Sequence, residues 1–309
     1  LYFHSMKHQS GFVNIIGRPN VGKSTLFNAL IGERLSIVSS KAQTTRHRLL
    51  AFLNDDNYQI IFSDTPGILK PSYQLHEKMM SYVNEAIDDA DVLICMTDIF
   101  ENIDEIEDFT EWQRAFKIMK HAHLPVILII NKIDLIGEDG QLEALINKWK
   151  NKLEEQTSKK DINIVTTSAL HKQNTDQLVN VLLKDLPEGP EYYPKDQITD
   201  KPERFFVSEK VREKIFLNYK KEVPYSTECT VLSFKEEDDI IRIEGEIIVE
   251  RKTQKAIIIG KAGAGIKKIG SEARVDLEDF FQKKVFLSLY VKVREDWRNK
   301  GTQLRNFGY

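Results

Sequence analysis

The chain has 309 residues, 41% hydrophobic and 29% charged, with 44 Lys/Arg against 47 Asp/Glu and a formal net charge of −3. That length gives two compact domains room for a core each. No apolar run reaches the roughly 20 residues of a membrane span and no signal peptide is visible, so a cytoplasmic protein is expected. The two cysteines, Cys95 and Cys229, lie in apolar or alternating runs of different halves, so reduced buried thiols are expected rather than a disulfide.

Leu1 to Ser5 read as the scar of a protease site, with native sequence beginning at Met6, and residues 1–8 as a tail. The apolar run Phe12 to Ile16 then reads as a strand, followed at once by Gly17-Arg18-Pro19-Asn20-Val21-Gly22-Lys23-Ser24. This is G-x-x-x-x-G-K-S between a strand and a helix. The glycines let backbone N–H groups turn onto a β-phosphate, Lys23 neutralises the β/γ oxygens, and the Ser24 hydroxyl reaches Mg2+. Leu26, Phe27, Leu30 and Ile31 carry the helix, and Gly32 stands where a left-handed cap is expected.

Gln43-Thr44-Thr45-Arg46 and Asp64-Thr65-Pro66-Gly67, the latter after an alternating strand from Tyr58 to Phe62, read as the two switch segments of a GTPase. Asp64 is expected to hold Mg2+ through water and the Gly67 amide to touch the γ-phosphate. Thr45, with Thr44 as the alternative, adds a hydroxyl to the metal. Taken alone, D-T-P-G is also an ordinary Pro-Gly turn. The next residue, Ile68, is apolar where many regulatory GTPases place a glutamine, so it cannot orient the attacking water. Positive charge must then come from a partner or an ion, and Asn20 in the phosphate loop is the candidate ligand. The acidic stretch Glu101 to Glu111 reads as a solvated helix face, and His121-x-His123 as a polar turn before a buried strand.

That strand, Val126 to Ile130, ends in Asn131-Lys132-Ile133-Asp134. A carboxylate at Asp134 can accept from both N1–H and the N2 amine of guanine, whereas adenine would leave it unpaired, so GTP is preferred over ATP. Asn131 ties this loop to the phosphate loop, and Lys132 lays its stem over the base. After a strand from Ile162 to Thr166, Ser168-Ala169-Leu170 supplies a backbone N–H for guanine O6. Phosphate loop, threonine switch, D-T-P-G, N-K-I-D and S-A-L follow one another at strand ends, as a doubly wound, mostly parallel sheet requires. This P-loop α/β domain is expected over residues 9–186.

Proline and glycine gather between Leu186 and Pro202, and residues 187–203 read as an interdomain linker. Beyond it, the pattern predicts a helix near Ser208 to Val223 and strands near Ser226 to Phe234 and Ile240 to Glu250. A helix-turn-helix near Thr253 to Gln282 and a strand near Val285 to Val293 follow. Gly260-Lys261-Ala262-Gly263 sits at the turn. A G-x-x-G loop lets backbone lie against phosphates of single-stranded RNA beside an apolar groove for bases. The α-β-β-α-α-β order matches an α+β type II KH domain, over 204–297, with a tail at 298–309. From Arg251 to Tyr309 there are fourteen Lys/Arg and six Asp/Glu, while everything before is net acidic. Lys255, Ile258, Gly260, Lys261, Ala262, Gly263, Lys267, Lys268 and Arg274 are the expected RNA contacts.

A GTPase with G-R-P-N-V-G-K-S, Q-T-T-R, D-T-P-G-I, N-K-I-D and S-A-L, joined to one KH domain, resembles the bacterial Era family along essentially the whole chain. The resemblance extends to Lys41 through Arg48, the Pro224-Tyr225 step, Val291-Lys292-Val293 with Trp297, and the ending Phe307-Gly308-Tyr309. It implies a monomeric assembly factor of the 30S ribosomal subunit whose KH domain binds the 3′ end of 16S rRNA. GTP favours the RNA-binding state and hydrolysis to GDP accompanies release. It also implies K+ on Asn20, which acts much as an arginine finger does, and peripheral contact with the inner membrane. One departure is Lys261-Ala262, where relatives often have asparagine-lysine. Two other classes stand beside this one: an RNA-modification or translation GTPase of the same superfamily, which would bring a further domain, and a KH adaptor with a vestigial nucleotide site, which intact Lys23, Ser24, Thr45 and Asp64 oppose.

Overall fold

The computed structural model describes residues 8–108, 110–137, 140–159 and 162–309; the scar expected at Leu1 to Ser5 lies outside them. The chain divides into two compact units. The first takes the described residues up to Ser36 with Thr45–Pro71 and Met79–Asp200, and the second takes Ile37–Thr44, Ser72–Lys78 and Lys201–Tyr309. Among the described residues no helix is long and apolar enough to cross a membrane.

In the first unit a six-stranded sheet has the order β2-β3-β1-β4-β5-β6. Its strands are β1 (Gln9–Gly17), β2 (Leu49–Asn54), β3 (Tyr58–Asp64), β4 (Val92–Asp98), β5 (Val126–Asn131) and β6 (Asn163–Thr166). Only β2 runs antiparallel to its neighbour; every other pair is parallel. Every position of β4 and β5 is buried, as expected for apolar strands covered on both faces by crossover helices. Those helices are α1 (Lys23–Ile31), α2 (Gln74–Asp88, in this unit from Met79 on), α3 (Thr110–His121), α4 (Gln141–Thr157) and α5 (Thr175–Asp185). Strand order reverses between β1 and β4, so the loop after β1 opens into the crevice where such sheets bind ligands. Helix α1 stops at Gly32, whose left-handed backbone (φ +85°) lets its N–H reach the Asn28 carbonyl.

The proline-rich stretch is not a free tether. Up to Asp200 it packs within the first unit along β2: the Phe52 N–H donates to the Ile198 carbonyl at 2.9 Å and Thr199 Oγ1 to the Leu50 carbonyl at 2.7 Å. Tyr193 stacks on Phe52 with ring centroids 4.0 Å apart, and the Gln59 carboxamide bonds the backbone at Tyr192 and Tyr193. The acidic stretch forms in part a 3-10 turn, Ile103–Asp108, with Ile103 and Ile106 buried and Asp104 and Glu105 exposed.

The second unit has a three-stranded sheet, β7 (Thr227–Glu236), β8 (Ile240–Val249) and β9 (Lys284–Val293), antiparallel then parallel. Helices α6 (Glu203–Asn218), α7 (Lys252–Ile259) and α8 (Ala264–Phe281) accompany it. Val211 and Ile215 of α6, Ile247 and Val249 of β8 and Ile269 and Ala273 of α8 share one core. Helix α6 begins five residues before the expected Ser208, because Pro202 supplies a ready start. It ends at Asn218 rather than Val223, because Tyr219 turns extended (φ −115°, ψ 157°) while its N–H still caps the Ile215 carbonyl. The tail expected at 298–309 is also structured. Helix α9 (Gly301–Asn306) buries Leu304, Trp297 donates its indole N–H to the Ser226 carbonyl at 3.0 Å, and the hydroxyl of buried Tyr309 donates to Glu228 Oε2.

Candidate nucleotide site and nucleic-acid groove

The loop between β1 and α1 is shaped by its own backbone. Gly22 sits at φ +104°, and a Cβ there would lie 2.3 Å from Asn131 Nδ2. Asn20, exposed at the outer turn, is likewise left-handed at φ +68°. Lys23 is buried, and its ammonium donates to the carbonyls of Gly17 (3.1 Å) and Arg18 (2.8 Å). Burial lowers its pKa to about 8 against the opposing pull of Asp64. Phosphate oxygens brought to this loop favour the charged amine.

Below the lysine, hydroxyls converge on one carboxylate. Asp64 Oδ2, at the end of β3, accepts from Ser24 Oγ at 2.9 Å, from Thr45 Oγ1 at 3.2 Å and from Ser36 Oγ. Ser24 and Thr45 lie 2.9 Å apart. Asp64 is fully buried, and its other oxygen, Oδ1, has no hydrogen-bond partner. Burial raises its pKa, although Ser36, Lys23, Ser24 and Thr45 all pull the other way. Of the two threonines, only Thr45 meets this cluster. Ser36 was missed by sequence reasoning; a lone serine at a helix exit carries no signal.

The loop after β5 is bound to both its neighbours. Asn131 Nδ2 donates to the Val21 carbonyl at 2.8 Å, while its Oδ1 accepts from the Ala169 amide at 2.9 Å and from Thr167 Oγ1 at 3.2 Å. Lys132 stands at φ +66° and donates to the Asn20 carbonyl at 3.0 Å and to Asp98 Oδ2. Asp134 accepts from Ser168 Oγ, with His171 Nε2 3.7 Å from its second oxygen. Ile133 donates its N–H to Thr167, and Leu170 is exposed at the rim. These bonds hold Asn131, Lys132 and Asp134 to both neighbouring loops, with the Ala169 and Ile133 amides engaged within them.

Within D-T-P-G, the Thr65 side chain is fully buried and donates to the Ile15 carbonyl at 2.7 Å, so it fixes the segment to β1. Pro66 is buried beside it. At Gly67 a Cβ would come within 3.0 Å of Pro19. Ile68 donates its N–H to Gly17 and buries its side chain, leaving only backbone for a nucleotide.

In the second unit the Gly260–Gly263 turn is built on positive φ at both glycines and at Ala262. A Cβ on Gly260 would lie 2.8 Å from the Gly265 nitrogen. Lys261 and Ala262 are exposed ahead of the eighteen-residue α8, whose N-terminal amides suit a phosphate. Beside them lies a groove of about 380 Å³, lined by Ile266, Lys267, Gly270, Ser271 and Arg274 of α8 and by Phe286 through Leu289 of β9. Lys267 and Arg274 are therefore gathered at one groove, and Lys268 lies exposed beside Glu272 at 3.8 Å. Ile258 departs from expectation. It is fully buried in the core and its carbonyl accepts from the Tyr219 hydroxyl, so its side chain faces no ligand. Lys255, half-buried on α7, does not line the groove. The apolar wall from β9 was missed, although Phe286, half exposed on an alternating strand, is its visible sign.

The sequence model of the family described as 50S ribosome-binding GTPase matches residues 12–132, and that of the KH domain matches residues 222–298. The chain is 42% identical over 306 residues to GTPase Era of Staphylococcus haemolyticus, covering 98% of each. It resembles the crystal structure of Era in complex with MgGDPNP and nucleotides 1506–1542 of 16S ribosomal RNA, at 41% identity and a TM-score of 0.90, over 98% of this chain and 99% of that one. An Aquifex aeolicus Era variant bound to GDP and AlF4− gives 41% identity and a TM-score of 0.89, over 97% and 99%.

Proposed function

The chain belongs to the Era family of GTPases, and we propose that it is a GTP-controlled assembly factor of the 30S ribosomal subunit that binds the 3′ end of 16S rRNA. The observation that carries this reading is its likeness, along the whole chain, to an Era held with both a GTP analogue and that RNA segment. The phosphate loop from Gly17 to Ser24, with Lys23 buried at its centre, receives the β- and γ-phosphates, and the Gly67 amide meets the γ-phosphate. Asn131, Lys132 and Asp134 read guanine, with Ser168, Ala169 and Leu170 closing the opening.

Ser24, Thr45 and Asp64 would hold Mg2+. Their all-oxygen donor set and the unpartnered, buried Asp64 Oδ1 fit a hard cation. When bound, that ion neutralises charge on the β/γ oxygens. Asn20, exposed on the phosphate loop, would add K+. With buried Ile68 unable to orient water, unaided turnover is slow and K+ and RNA both accelerate it. The Gly260–Gly263 loop and the groove beside Lys267 and Arg274 take the RNA. Cytoplasmic residence, a monomeric state and peripheral contact with the inner membrane belong to the same family reading.

The test is GTP hydrolysis in potassium and in sodium buffers, with and without an RNA carrying the 3′ segment of 16S rRNA. Faster turnover in potassium and further stimulation by that RNA, but not by a scrambled one, is expected. Turnover indifferent to both would remove the roles given to Asn20 and to the RNA.

A further inference from the structure

The four residues from Asp98, the last of β4, to Glu101 bind two loops of the proposed nucleotide site at once. Asp98 Oδ2 takes the ammonium of Lys132, while Asp98 Oδ1 accepts the Phe100 N–H at 3.0 Å. The Ile99 N–H donates to the Asn131 carbonyl at 3.2 Å, and Glu101 forms an ion pair with Arg18 of the phosphate loop. The Phe100 ring, two-thirds exposed, has its centroid 5.6 Å from Lys132 Nζ. No motif in the sequence marks this segment.

We propose that Asp98 is a positioning residue for guanine-nucleotide binding and acts through Lys132. The inference rests on the reading that the Asn131–Asp134 loop seats the base. Lys132 occupies left-handed backbone, which a side-chain-bearing residue adopts at a cost of about 1 kcal/mol or more unless its surroundings hold it there. A free ammonium would follow water and carry its aliphatic stem along. Bound between Asp98 and the Asn20 carbonyl, the ammonium is fixed and the stem is left as a flat apolar surface for a base. The carboxylate also removes the excess charge from the rim of the opening, its own side chain being mostly buried.

Asp98→Asn keeps an oxygen for the Phe100 N–H and removes the charge that Lys132 needs; Asp98→Ala removes both. In the full chain, each is measured for GDP affinity and for GTP turnover, alone and combined with Lys132→Ala. Asp98→Ala is expected to weaken GDP binding about ten-fold, the size of a lost charge-assisted hydrogen bond, and Asp98→Asn several-fold. The loss falls on KM, with kcat at saturating GTP changing less than two-fold. In the Lys132→Ala background either change adds less than two-fold. Equal losses in both backgrounds, or none in either, would overturn the inference. If Lys132→Ala itself leaves GDP affinity intact, the base-seating reading fails first. Should Asp98→Ala not fold, Asp98→Asn decides alone.

Discussion

The side-chain amide of Asn131 donates to the carbonyl of Val21 at 2.8 Å, so the Asn131–Asp134 loop and the Gly17–Ser24 loop are one hydrogen-bonded body. The same residue's oxygen accepts from Ala169 and Thr167, which brings in the third loop. Asn131→Ala should strand these partners in a buried place and cost about 1–3 kcal/mol of stability. Thermal unfolding with and without GDP would show a lower midpoint and a smaller rise on adding nucleotide. Gly22→Ala should act on the same contact from the other side, since its Cβ would intrude on Asn131; loss of GDP binding is the expected result.

Asp134→Asn should change which base is read. An amide cannot accept both hydrogen bonds that guanine N1–H and N2 offer, but it can donate to the C2 oxygen of xanthine. Affinity for GDP should fall at least about 100-fold while that for XDP rises. Competition binding with the two nucleotides measures it.

Burial pushes the Cys95 thiol up to about 12, against the pull of Lys23. At pH 8.5 iodoacetamide should leave it unmodified in the native protein and alkylate it once denaturant is added, as read by mass spectrometry. The linkage sign follows. The folded thiol keeps its proton above the unfolded value of 9.0, so its stabilising effect is complete below pH 9 and is lost as pH climbs toward 12. Relative to Cys95→Ala, the unchanged chain should lose about 1.4 kcal/mol per unit of pH inside that window.

Lys267 and Arg274 flank the groove of the second unit. Replacing each with alanine should weaken binding of single-stranded RNA and lower the slope of log affinity against log salt by about 0.7 per phosphate contact removed. Filter binding at several salt concentrations reads both. An unchanged slope would mean that neither side chain meets phosphate.

The site proposed for the nucleotide was legible because that chemistry dictates residue types at fixed spacing, and the structure gathers them: Gly22 at positive φ, Lys23 buried in the loop, and Asp134 tied to Ser168. The sheet was legible from apolar runs such as Val126–Ile130, which only a strand buried on both faces sustains. Ser36 and Asp98 were not legible, since each meets its partner 28 and 34 positions away with no repeating pattern. Ile258 was misplaced for a different reason: on a short amphipathic helix, adjacent isoleucines look alike, and only packing separates buried Ile258 from exposed Ile257. Helix α6 was displaced by counting its apolar face while underweighting Pro202, which stands at its start.

The strap from Leu186 to Asp200 has a practical consequence for anyone dividing the chain. β2 is the outermost strand of its sheet, and its free side is occupied by Ile198 and Thr199 with Tyr193 stacked on Phe52. A fragment ended at Leu186 would keep every nucleotide motif yet bare a row of unpaired backbone groups, an invitation to self-association. The smallest piece that still binds GDP and elutes from a sizing column without aggregating should therefore extend to Asp200.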